Sequence, residues 1–84
     1  MQSQQKAALR DFLTGSLADR GDVAPLTDES SLFLSGRLDS LAMTNLVMHL
    51  ESSFGIDFAA INFDVDLVDS INQISRLVTE FGTT

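Results

Sequence analysis

Three stretches of the chain repeat apolar residues at helical spacing. In the first, about Ser3 to Leu17, the residues Leu9, Phe12, Leu13 and Leu17 form one stripe, which predicts an amphipathic helix. The second runs from about Ser40 to Phe54. At about 100° per residue, Met43, Leu46, Val47, Leu50 and Phe54 share a face, and Gly55 stands where helices commonly stop. The third, about Asp66 to Phe81, carries Leu67, Ile71, Ile74, Leu77 or Val78, and Phe81, with Gly82 as its stop. A short regular segment is expected over Ala59 to Asp64. No stretch sustains strict alternation, so no strands are expected. The pattern predicts an all-α fold: a small four-helix bundle with three long helices and one short one.

Between the first two helices lies a loop from about Ala18 to Asp39, opened by Gly21 and Pro25. Connections this long are usually functional or carry structure of their own. Val23, Leu26, Leu32, Phe33, Leu34 and Leu38 predict a loop packed onto the helices.

The 84 residues make one domain, 1–84, and too little chain for two. Its core is thin, which disfavours a large internal active-site cavity. The chain has no Cys, so disulfides, thiolate metal sites and cysteine nucleophiles are excluded, and a cytoplasmic protein is expected. No apolar run is long enough to span a membrane, and the first residues lack the basic and apolar regions of a signal peptide. The net charge of −7, from 12 acidic and 5 basic residues, would repel a phosphate backbone, so no nucleic-acid partner is expected. The charge serves either solubility or steering toward a basic partner surface.

The second helix has apolar residues off its core face. Leu41 and Met48 fall opposite the stripe, beside Thr44, Asn45, Glu51 and Ser52, and together they predict a docking surface. Ser40 stands at the start of this helix, and two readings of it are open. Asp39 or Ser40 is an N-cap, its oxygen accepting a free backbone N–H. Alternatively, Ser40 is a tether point, because the positive end of a helix tolerates an attached phosphate. A serine hydroxyl is a weak nucleophile without a base. The one histidine, His49, lies roughly 13 Å further along the same helix, out of its reach. No catalytic residue is therefore assigned, and chemistry at Ser40 needs a base from another protein. Asp64, Asp66 and Asp69 are spaced loosely like a calcium loop. The next ligand position is Val68, the glycine is absent and Ser75 stands in place of the closing Glu, so no metal site is expected. The acids are read instead as complementing a helix N-terminus.

Gly36-Arg37-Leu38-Asp39-Ser40-Leu41, a helix, and then Leu50-Glu51-Ser52-Ser53-Phe54-Gly55-Ile56-Asp57 resemble the acyl carrier protein family over nearly the whole chain. The resemblance implies that Ser40 is the attachment site for 4′-phosphopantetheine, delivered from coenzyme A by a separate phosphopantetheinyl transferase. The arm's thiol would carry an acyl or aminoacyl group as a thioester. Asp39 and Leu41 would help dock the transferase. Leu41, Thr44, Asn45, Met48 and Glu51 would face the enzymes that load and unload a monomeric carrier. Ala42, Asn45 and Ser52 stand where carriers for general fatty-acid synthesis have acids. The stretch Ile61-Asn62-Phe63-Asp64-Val65-Asp66, ahead of Ile71-Asn72-Gln73-Ile74, is similar to the D-alanyl carrier branch. A specialised fatty-acid, polyketide or aminoacyl pathway is expected. The alternative is an acidic helical interaction domain that binds a basic partner and is never modified.

Overall fold

The computed structural model describes residues 1–82; Thr83 and Thr84, the end of the expected domain, lie outside the described residues. Three α-helices follow one another: α1 (Ser3–Ala18), α2 (Ser40–Phe54) and α3 (Ile71–Phe81). A single-turn 3-10 helix, Val65–Val68, precedes α3. No strand occurs among the described residues.

The helix α2 has the bounds its pattern predicts, and both ends show why. Asp39 is extended, and its carboxylate accepts from the Ala42 N–H at 3.0 Å. Gly55 closes the helix in the left-handed conformation at φ 67°, its N–H donating to the Glu51 carbonyl. An L side chain at that φ is strained. Gly55→Ala is expected to cost about 1 kcal/mol, read as a lowered midpoint in urea with an unchanged slope.

The C-terminal third departs from expectation. The segment Ala59 to Asp64 is not a helix, so the count is three helices and a 3-10 turn rather than four. Asp57 closes a local turn there, its side chain accepting from the Ala59 N–H at 3.0 Å and its carbonyl from Ala60 at 3.1 Å. The final helix begins at Ile71 rather than near Asp66. The break falls at Ser70, which is extended, and Asp69 just before it is held from outside the helix. The Asp69 main-chain carbonyl accepts from Leu32 N–H at 2.7 Å, which removes it from any helical ladder. Ser70, extended, then caps α3 by accepting from Gln73 N–H at 3.1 Å. Asp64 caps the 3-10 turn instead of a long helix, accepting from Asp66 N–H.

The core is built from Leu9, Leu13 and Leu17 of α1, Leu46, Leu50 and Phe54 of α2, and Ile71, Ile74, Leu77 and Val78 of α3. Leu32, Leu38, Ile56 and Val68 fill it from the connections. Burying such a side chain contributes about 1.5–3 kcal/mol. The stripes are narrower than their patterns suggested. Phe12, Met43, Val47 and Leu67 are half-buried, and Phe81 is exposed. Phe12 instead stacks flat on His49, ring centroids 4.4 Å apart, joining α1 to α2.

The long loop is packed, but not by all the residues expected. Leu32 and Leu38 are buried and Leu26 and Phe33 lie against the core, whereas Val23 and Leu34 are exposed. Polar ties hold the rest. Asp28 pairs with Lys6 at 2.6 Å and with Arg10, and its carbonyl accepts from Asn72 N–H at 3.0 Å. Asp22 pairs with Arg37 at 2.9 Å, and Arg37 also donates to the carbonyls of Ala24 and Pro25. The Arg37 hydrogen bond holds the Asp22 carboxyl below its ordinary range, and Lys6 does the same for Asp28.

Candidate functional site

The approach to α2 is shaped by three residues in succession. Gly36, at φ 83°, turns the chain with its N–H on the Phe33 carbonyl at 3.0 Å. Arg37 is fixed by Asp22. Leu38 is buried, and its N–H donates to the Leu32 carbonyl at 2.8 Å. With Leu38 anchored in the core, the next two residues emerge at the surface as N-cap and first helical residue.

The cap is Asp39. Its Oδ1 accepts from Ala42 N–H, and its Oδ2 lies 2.9 Å from the guanidinium of Arg20. The Ala42 N–H, and then Arg20, hold this carboxyl below its ordinary range against the opposing effect of partial burial. Ser40 is exposed, and among the described residues nothing bonds its hydroxyl. Of the two sequence readings, capping therefore belongs to the neighbour, and Ser40's oxygen is left over. It opens onto a shallow cleft lined by Phe33, Leu38 and Met43. His49 is half-buried on the flank of α2 against Phe12, facing a different task.

The outer face of α2 presents Leu41 at 70 % and Met48 at 60 % exposure, with Thr44, Asn45 and Glu51 also exposed. These five predicted partner residues share one open surface continuing from Ser40. Glu51 is the one acid within α2. Among the described residues no three His, Asp or Glu side chains are placed to share a metal ion. Asp69 has another role. Its carboxylate accepts from Ser31 Oγ at 2.6 Å, Phe33 N–H at 2.8 Å and Leu34 N–H at 2.9 Å.

One participant was missed from sequence. Arg20 stands beside Asp39 only because the folded loop returns, and no spacing signals it. Away from the site, Leu34, assigned to the packed loop, is 66 % exposed. Its neighbour Phe33 offered the same hydrophobic signal.

Comparison with known proteins bears on the whole region. Residues 11–79 match the family described as phosphopantetheine attachment site. Over 59 residues the chain is 36% identical to the D-alanyl carrier protein of Bacillus pumilus (strain SAFR-032), covering 70% of this chain and 76% of that protein. No solved structure gives a significant match.

Proposed function

The chain belongs to the acyl carrier proteins that share a phosphopantetheine attachment site, and from that premise we propose that Ser40 bears the arm and that the cargo is an aminoacyl group. Its cofactor is covalently attached 4′-phosphopantetheine. When bound, this group supplies the thiol that a chain without cysteine lacks.

The residues around Ser40 fit it. The hydroxyl is exposed and unbonded, because Asp39 has taken the cap. This is the observation that carries the proposal. The site is open, and the positive end of the helix dipole favours an attached phosphodiester. The proton of Ser40 Oγ must leave to a base on the transferase, since this chain places none on it. Leu41 and Met48 offer the apolar centre of a docking surface, with Thr44, Asn45 and Glu51 as its polar rim. The aminoacyl reading is supported by the name of the Bacillus relative and by the near-absence of acids on α2. The fatty-acid and polyketide pathways have no such support. We read the protein as a single carrier domain over residues 1–84, monomeric and cytoplasmic, where coenzyme A is available. Among the described residues no helix is long and apolar enough to cross a membrane.

Incubation with coenzyme A and a promiscuous phosphopantetheinyl transferase is expected to raise the intact mass by one phosphopantetheine, on the peptide holding Ser40. An unchanged mass with several transferases would favour the rival, an unmodified acidic domain. The modified protein is then expected to accept D-alanine from an ATP-dependent D-alanine ligase and to be a poor substrate for malonyl loading. Efficient malonyl loading and elongation by a fatty-acid enzyme set would sink the aminoacyl reading.

A further inference from the structure

The ion pairs of this protein fall into two kinds. Arg37 and Asp22 make several bonds that shape the loop, and Asp28 ties Lys6, Arg10 and, through its carbonyl, Asn72. The Arg20–Asp39 pair differs. Among the described residues the Arg20 guanidinium makes this one contact, at 2.9 Å, and the carboxylate it meets is 59% exposed, against 33% for Asp28 and 25% for Asp22. It holds no carbonyl and closes no buried space.

Its position gives it another consequence. No Lys or Arg occurs between Arg37 and Arg76, while Asp39, Glu51, Asp57, Asp64, Asp66 and Asp69 all fall in that interval. Asp39 adjoins Ser40, so its Cα is about 3.8 Å away. An enzyme that brings a phosphate donor to Ser40 must carry cations to stabilise that phosphate. Those cations arrive beside a carboxylate already paired with a cation of the chain itself.

Resting on the reading of Ser40 as the modified residue, we propose that Arg20 masks Asp39 and so weakens docking of the modifying enzyme. The arriving cationic surface must displace Arg20 before it can use the charge of Asp39. Removing Arg20 therefore strengthens binding. An exposed pair of this kind is worth about a two- to five-fold change in affinity. The effect resides in binding, not in the chemistry, because Arg20 touches no reacting atom.

The test uses the full chain and one phosphopantetheinyl transferase. Arg20→Gln is expected to lower KM for the carrier about two- to five-fold with kcat unchanged, and Arg20→Lys to stay near the parent. Arg76→Gln makes the same change in net charge away from the site and controls for general steering. In a Ser40→Ala background, which cannot react, Arg20→Gln is expected to tighten Kd for the transferase by the same factor. In an Asp39→Asn background the gain should vanish. A KM and Kd for Arg20→Gln equal to those of Arg76→Gln, or weaker, overturn the mask while leaving the carrier reading intact. Absence of any mass gain in the parent protein overturns the carrier reading and the mask with it. Thermal melts of each variant confirm that the exposed substitution leaves the fold in place.

Discussion

Ser40→Ala abolishes modification completely and leaves the melting temperature within about 3 °C of the parent: this is the expected result, and both halves follow from the same geometry. The reacting oxygen is removed, and no other serine stands at the start of α2 to replace it. The fold loses nothing comparable, because Ser40 is exposed and its hydroxyl bonds no described residue. The complementary variant is Asp39→Ala. It removes the acceptor of the Ala42 N–H and the partner of Arg20, so it should melt lower than Ser40→Ala while still gaining mass, more slowly. Asp39→Asn keeps a capping oxygen and should melt close to the parent. Intact mass and thermal melts on the three variants separate cap from attachment site. If Ser40→Ala melts well below Asp39→Ala, the assignment of roles is reversed. If Ser40→Ala still gains mass, the arm is elsewhere.

This division of labour was only half legible beforehand. The sequence Asp39-Ser40 before a periodic run announces a cap, yet either residue has an oxygen able to serve. The choice depends on backbone geometry: Asp39 is extended and Ser40 is already helical, which places the Asp39 carboxylate over the Ala42 N–H. The exposed face of α2 was easier to see. Leu41 and Met48 lie opposite a complete apolar stripe, and angular spacing alone separates them from the core. The third helix was misread at its start for a reason that periodicity cannot capture. Leu67 and Ile71 are four residues apart and suit one helix, but the carbonyl of Asp69 between them is bonded to a loop residue distant in sequence. A tertiary hydrogen bond thus overrides a local pattern. The same holds for Val23 and Leu34, whose apolar character predicted burial. The loop is fixed instead by Arg37, Asp28 and Asp69, which leaves those two side chains outside.

Removing the Asp69 carboxylate is expected to be the most damaging single change among the polar residues. Asp69→Ala strands three donors, the Ser31 hydroxyl and the N–H groups of Phe33 and Leu34, and should cost about 2 kcal/mol, or roughly 10 °C of melting temperature. Asp69→Asn keeps an oxygen for the two backbone donors, and the Ser31 hydroxyl can turn to accept, so the loss should be about half as large. The charge itself can be separated by pH. Burial alone would raise this carboxyl, but hydrogen bonds from Ser31, Leu34 and Phe33 outweigh it and hold it below its ordinary range. A group whose folded-state pKa is depressed contributes stability above its unfolded pKa, and the contribution is lost as pH falls through the folded value. The stability gap between the parent and Asp69→Asn should therefore be full above about pH 5 and should close as pH falls below about 4. A gap independent of pH would mean that the hydrogen-bonded shape, not the charge, holds the loop. The consequence reaches the site, because Phe33 lines the cleft beside Ser40 and Leu32 receives Leu38, the residue that sets Asp39 and Ser40 at the surface. At a temperature where it is still folded, Asp69→Ala should thus be modified more slowly than the parent with coenzyme A and transferase, although it touches neither Ser40 nor the arm. Equal rates of mass gain would show that the start of α2 is held by Asp39 and Leu38 alone.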